Sequence, residues 1–216
     1  MNAPPADFVI ANTTIDRPAL TPEIALHLAT EVTPLWHATS DRLADAGAEP
    51  PFWAFAWPGG QALARYVMDN PETVAGRRVL DIATGSGLVA IAAAIGGAAS
   101  VTANDIDPMS LAAVALNAEM NNVAATTSGD DLTNLSTTED WDIVLAGDVF
   151  YDREMAARFA PWLSTRAASG ALVLIGDPNR AYPPTEGLER LGSYDVRTSL
   201  DLESATMLTT TIWRIS

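Results

Sequence analysis

The stretch Val79-Leu80-Asp81-Ile82-Ala83-Thr84-Gly85-Ser86-Gly87-Leu88 constrains this chain more than any other. Val79 to Ile82 reads as an apolar strand. Gly85 and Gly87 then supply a turn that a side chain would obstruct, and Leu88 to Ile95 reads as a helix of small apolar residues. A strand that leaves its glycine turn as a helix opens a βαβ unit, and such units build parallel sheets. The rest of the chain repeats the alternation. Ser100–Ala103 is a second strand, Pro108–Met120 a helix with proline at its start, and Ala124–Thr127 a third strand. Asp142–Ala146 and Ala171–Ile175 are further strands, separated by a helix around Arg153–Leu163. Tyr194–Thr198 and Met207–Ile215 alternate and are rich in Thr, as the strands of a closing hairpin would be. The predicted fold is α/β: a doubly wound, Rossmann-like, seven-stranded and mostly parallel sheet, with an antiparallel last strand and helices on both faces.

The 216 residues suit one globular unit. Residues 1–50 read as an N-terminal extension packed on the domain, with Thr21-Pro22-Glu23 as a helix start, and 51–216 as the domain proper. Between them lies an aromatic and proline-rich segment, Pro50–Pro58, holding Phe52, Trp53, Phe55 and Trp57, and then a helix over Gln61–Met68.

Glycines alone leave the ligand open, since Gly85-x-Gly87-x-x-Ala90 also satisfies a dinucleotide fingerprint. Two carboxylates narrow it. Asp105 closes the second strand about 20 residues beyond the turn, where an acid accepts from both hydroxyls of a ribose. Asp81 stands inside the end of the first strand, where a pyrophosphate would meet an anion but the ammonium of a methionine moiety would find a partner. Together they favour S-adenosylmethionine over a nicotinamide dinucleotide; the competing reading gives Asp81 the structural task of capping the turn. After the third strand, Gly129-Asp130-Asp131-Leu132 offers an acid to the adenine amino group, Asp131 first and Asp130 second, or else a plain loop turn.

The fourth strand ends in Gly147-Asp148-Val149-Phe150-Tyr151-Asp152. Chemistry in parallel α/β sheets sits beyond the carboxyl ends of the strands, so these residues face the transferable methyl group. A lysine amine must be deprotonated and aimed before it can displace a leaving group from carbon. Asp148 can hold that amine, and Tyr151 can line its path with a ring face and a hydroxyl. The competing reading makes Asp148 the cap of the helix from Arg153. Asp-Val-Phe-Tyr lacks the prolines of the Asn/Asp-Pro-Pro-Tyr/Phe motif found in enzymes that methylate DNA bases or glutamine.

Charge points the same way. A formal net charge of −15 argues against nucleic acid and suits a cationic partner, though an acidic surface also simply aids solubility. All 12 basic residues are arginine; lysine is absent. With no cysteine and only His27 and His37, a thiolate or histidine-rich metal site is not expected. No apolar run is long enough to span a bilayer, and Met1–Ile10, without a basic residue, does not resemble a secretory or transit signal. A cytoplasmic monomer is the expectation.

Several blocks resemble the electron transfer flavoprotein β-subunit lysine methyltransferase family, within the seven-strand methyltransferases. They are Thr21-Pro22-Glu23-Ile24, Pro51-Phe52-Trp53-Ala54, Trp57-Pro58-Gly59-Gly60-Gln61-Ala62-Leu63 and Arg65-Tyr66. Ala103-Asn104-Asp105-Ile106-Asp107-Pro108, Gly147-Asp148-x-Phe150-Tyr151-Asp152 and Leu174-Ile175-Gly176-Asp177-Pro178 complete the set. The resemblance implies an S-adenosylmethionine-dependent protein N-lysine methyltransferase acting on lysines in the β subunit's docking loop. It also implies that Trp57, Ile106 and Gly147 join Asp81, Gly85, Gly87, Asp105, Asp130 and Asp131 around the cofactor. A ribosomal protein, another protein or a small amine is the alternative substrate, and an NAD-dependent oxidoreductase the alternative class.

Overall fold

In a computed structural model, residues 4–30, 33, 35, 51–134, 140–184, 186–200, 203 and 205–216 are described. The elements run α1 (Pro5–Asn12), β1 (Thr14–Asp16), β2 (Leu26–Leu28), α2 (Pro58–Asp69), β3 (Arg78–Ile82), α3 (Leu88–Ile95), β4 (Ser100–Asn104) and α4 (Pro108–Met120). Then come β5 (Thr126–Ser128), β6 (Ile143–Gly147), α5 (Arg153–Ala168), β7 (Leu172–Asp177), β8 (Leu188–Arg197) and β9 (Met207–Ile215). Short 3-10 turns occupy Phe52–Ala54 and Pro71–Thr73.

Seven strands form one sheet in the order β5-β4-β3-β6-β7-β9-β8. β3 to β7 pair in parallel, and β9 inserts antiparallel between β7 and β8. The predicted mixed sheet is therefore present, with the hairpin supplying its antiparallel member.

Strand side chains alternate between two cores, as a period of two requires. Val79, Val101, Leu145, Leu174 and Ile212 pack with α2 and α3 on one face. Leu80, Ile82, Val144, Val173 and Ile175 pack with Phe159 and Leu163 of α5 on the other. The central strands are buried on both faces, which is why they read as apolar runs.

Helix starts follow their caps. Asp107 accepts from the Met109 amide ahead of Pro108, and Asp152 accepts from the amides of Glu154 and Met155. Because Asp152 caps α5, Asp148 is free of that task.

The N-terminal segment departs from the prediction at one point. Thr21-Pro22-Glu23 forms a turn, closed by the Ile24 amide on the Thr21 carbonyl, and not a helix. The backbone that follows is claimed as a strand. β2 pairs with β1, and Asn121 exchanges side-chain hydrogen bonds with the Ala25 amide and carbonyl. Asn117 accepts from the His27 amide and donates to the Ser86 carbonyl, which ties this segment to the glycine turn. Those long-range partners outweigh the local helix signal. His37 lies outside the described residues.

Candidate active site

The glycine turn follows β3 in strained geometry. Ala83, Gly85 and Gly87 all have positive φ, 54°, 53° and 82°; at Ala83 that costs on the order of 1 kcal/mol or more. Asp81 stabilises the turn. It is 1% exposed, and its Oδ2 accepts from the Thr84 hydroxyl and from the Ala90 amide at 3.0 Å. This is the capping role that competed for Asp81 in the sequence. Its other oxygen, Oδ1, takes no hydrogen bond among the described residues, so both roles fit one carboxylate. Burial pushes Asp81 up to about 7 against those two donors. A neighbouring cation would restore its charge.

Asp105 stands at the end of β4 and accepts from the Gly85 amide and the Asp107 amide, each at 3.0 Å. The Ser110 side chain also bonds this carboxylate, which leaves it acceptor capacity for one more donor. Ile106 beside it is a 64% exposed apolar surface. Asn104, which the sequence reading did not assign, donates to the Ser128 carbonyl and the Asp130 carbonyl and so holds the β5 loop against β4.

Asp131 is engaged within the protein. Arg158 donates to both its oxygens at 2.8 and 2.7 Å, while Thr133 and Asn134 donate to one each. With its lone pairs taken, this carboxylate anchors the loop to α5 and has none left for an adenine amino group. The Asp130 carboxylate accepts only a 3.3 Å bond from Ser128 among the described residues.

The reacting end is built on close glycine contacts. A β-carbon at Gly59 would lie 2.2 Å from the Gly176 carbonyl oxygen and 2.6 Å from Asp148 Oδ2; one at Gly147 would lie 2.9 Å from Gly60 Cα. Only glycines let the start of α2 abut the ends of β6 and β7. Helix packing thus accounts for a glycine at position 147. The contact aims the Gly60 amide at Asp148 Oδ2, 2.9 Å away.

Asp148 is 9% exposed with φ of 57°. Burial pushes its carboxyl up to about 7, opposed by Arg180 and the Gly60 amide and reinforced by Asp177. Such a group exchanges a proton near neutrality. Beside it, rings form a chain: Phe55 to Trp57 at 5.6 Å, Trp57 to Phe52 at 5.8 Å, and Phe52 to Tyr151 at 5.2 Å between centroids. The Trp57 indole N–H donates to the Phe52 carbonyl, whose oxygen would sit 3.8 Å from a β-carbon on Gly85. Phe52 therefore links the glycine turn to the Tyr151 ring, three residues beyond Asp148. Tyr151 is 39% exposed.

Sequence reading missed Arg180 and Glu203. Arg180 Nη2 donates to Asp148 Oδ1 at 3.3 Å, and its guanidinium pairs with Glu203 at 2.6 and 2.9 Å. A surface cleft lined by Arg78, Trp141, Asp142 and Arg166 lies at the opposite, amino ends of the strands, away from these groups.

The fold and this site define a class: the methyltransferases built on a seven-stranded Rossmann-like sheet. Solved relatives share the fold. A ribosomal protein L11 methylase from Lactobacillus delbrueckii subsp. bulgaricus superposes with a TM-score of 0.51 at 23% identity, over 71% of this chain and 77% of that one. Magnesium protoporphyrin IX methyltransferase from Synechocystis PCC 6803, solved with bound S-adenosylmethionine, gives 0.53 at 17%, over 87% of this chain and all, 100%, of that one. Residues 62–150 match the ribosomal protein L11 methyltransferase (PrmA) family. The electron transfer flavoprotein beta subunit lysine methyltransferase of Danio rerio is 41% identical over 96% of this chain and 82% of its own length. That of Homo sapiens is 38% identical over 90% and 75%. The chain belongs to the electron transfer flavoprotein beta subunit lysine methyltransferase family.

Proposed function

We propose that this protein transfers a methyl group from S-adenosylmethionine to the ε-amino group of lysines in the electron transfer flavoprotein beta subunit. The observation that carries the chemistry is Asp148: a buried carboxylate just beyond the end of β6, pushed up to about 7 by burial and three residues before Tyr151. S-adenosylmethionine, when bound, supplies an electrophilic methyl on a positively charged sulfur. The protein's residues do the rest. Asp105 holds the ribose, Asp130 the adenine amino group, and Asp81 Oδ1 the ammonium of the methionine moiety, with Gly85 and Gly87 leaving room for the backbone to approach. Asp148 would orient the substrate amine and take its proton, freeing the amine lone pair for the methyl group that the cofactor would supply. The aromatic rings exclude water from that path.

The choice of substrate follows the relatives. Those named for the flavoprotein subunit are matched over 82% and 75% of their lengths. A ribosomal protein L11 methyltransferase from Syntrophotalea carbinolica, 36% identical, is matched over 48% of its length. That second substrate class is therefore the weaker reading. A nicotinamide enzyme is disfavoured by Asp81, an acid facing the place a pyrophosphate would occupy.

Incubating the protein with methyl-labelled S-adenosylmethionine and the purified beta subunit, followed by mass spectrometry, tests the reading. Methyl-lysine in the subunit supports it. Label confined to another protein in a lysate replaces the substrate alone, and absence of both label and cofactor binding overturns the class.

A further inference from the structure

We propose that Arg180 and Glu203 are positioning residues for the reacting carboxylate: Glu203 grips the Arg180 guanidinium so that it lies beside Asp148 without closing on it, leaving Asp148 Oδ1 to the substrate ammonium. This rests on the lysine-methyltransferase reading above, but its parts are independent of the glycine turn.

The geometry is unequal in an informative way. Arg180 Nη1 and Nη2 meet Glu203 Oε2 and Oε1 at 2.9 and 2.6 Å, the side-by-side fork of a strong pair. The same Nη2 reaches Asp148 Oδ1 at 3.3 Å, a long and secondary contact. Arg180 could bind Asp148 with its fork and does not, because Glu203 already holds the fork. The side chains of Glu203 and Asp148 are 7% and 11% exposed, so water does little to loosen either contact.

Both loops are pinned. The Arg180 amide donates to Asp177 Oδ1 at 2.8 Å, and the Asn179 side chain donates to the Thr209 carbonyl at the start of β9. The Glu203 amide donates to the Ser199 carbonyl. Arg180 thus comes from the loop after β7, Glu203 from the β8–β9 connection, and they meet over the end of β6.

Among the described residues, the charged and polar groups facing Asp148 come from four places. α2 contributes only the Gly60 amide, β7 contributes Asp177, and the two loops contribute Arg180 and Glu203. Asp152, on its own segment, is occupied as the α5 cap. Three carboxylates therefore surround one guanidinium. The cluster lacks a positive charge, and burial resolves this by pushing Asp148 and Asp177 towards their neutral forms. A lysine ammonium at Asp148 Oδ1 supplies the missing cation, and the weak Arg180 contact is the one it displaces. Were Glu203 absent, Arg180 would turn its fork to Asp148 and compete with the substrate.

Two readouts test this, on the full-length protein. The first is the midpoint of the Asp148 side-chain carboxyl titration by 13C NMR, which needs no substrate. Arg180→Gln should raise it, Glu203→Gln should lower it, and Arg180→Lys should lie between Arg180→Gln and the unaltered protein. The second is the split between kcat and KM for the protein substrate, where Glu203→Gln should raise KM severalfold, more than it lowers kcat. Thermal shift by S-adenosylmethionine should be retained in all variants, which checks folding. Midpoints that move in the same direction, or do not move, would overturn the inference, as would a Glu203→Gln variant with unchanged KM. Inactivity of the unaltered protein on any lysine would instead refute the reading of function, with the titration still deciding the role of Arg180 and Glu203.

Discussion

Asp148 sits at φ of 57° with a carboxyl pushed up to about 7, and both facts shape how it can be replaced. Alanine at that angle would add backbone strain, whereas asparagine tolerates the left-handed region. Asp148→Asn keeps the Gly60 contact available through its carbonyl and removes the base. We expect kcat/KM to fall about 10²–10⁴-fold, the range for a lost general base, with the S-adenosylmethionine-induced thermal shift intact; near-normal turnover would remove Asp148 from the chemistry. Asp81 gives a prediction of a different kind. Its raised pKa means the ligand-free protein holds a proton there that the unfolded chain loses near the ordinary carboxylate value. Stability from that proton is present at low pH and is lost as pH rises through about 7. A cationic ligand reverses the preference by favouring the ionised form. Cofactor affinity measured calorimetrically should therefore tighten as pH rises through about 7, with proton release on binding, and Asp81→Asn should flatten that dependence. An unaltered slope in the Asn variant would assign Asp81 to turn capping alone.

Elements meet here through contacts that the sequence encodes but does not display. α3 and α4 are found where glycine, proline and caps place them, because each signal acts within one turn of chain. The glycine pairs are different: Gly59 and Gly60 look like a flexible start to α2, and their role depends on β6 and β7, far along the chain. Gly59→Ala would drive a methyl group to 2.2 Å from the Gly176 carbonyl. Overpacking against backbone costs about 1–3 kcal/mol, and at about 2–4 °C per kcal/mol for a chain of this size the melting temperature should drop by several degrees. Activity should fall further than stability explains, since Asp148 would lose its Gly60 donor; a variant as active as it is folded would separate the packing from the site. The same distinction governs what could be read in advance. The mostly parallel sheet, and the places of Asp105 and Asp148 at strand ends, were legible because strand ends and glycine turns are local patterns. The pairing of Asp131 was not legible because its partner Arg158 lies on α5, 27 residues on. Arg180 and Glu203 meet across 23 residues between loops of no periodicity, so no pattern linked them. Thr21-Pro22-Glu23 carried a true local helix signal that Asn117 and Asn121 override with backbone hydrogen bonds.

At the scale of the whole molecule, a formal net charge of −15 surrounds a site that takes a cationic side chain. Surface charge and buried charge should separate in their response to salt. Over the surface, attraction is screened beyond about 8 Å at physiological ionic strength, so long-range steering of a lysine-bearing loop weakens as salt rises. Within the Asp148–Arg180–Glu203 cluster, contacts of 2.6 to 3.3 Å between mostly buried groups are screened far less. Added salt should therefore lower kcat/KM for the protein substrate while leaving kcat nearly constant, and the acid limb of the pH profile should stay in place. S-adenosylmethionine binding, which depends on contacts inside the site, should change little over the same range, so cofactor affinity is the internal control. The lack of lysine helps the measurement, because no lysine methylation of the enzyme itself can contribute to the label counted. If kcat fell in parallel with kcat/KM, salt would be acting on the buried cluster and the division between steering and chemistry would be wrong. If neither changed, the acidic surface would serve solubility alone, and recognition would have to come from the loops that carry Tyr151, Arg180 and Glu203.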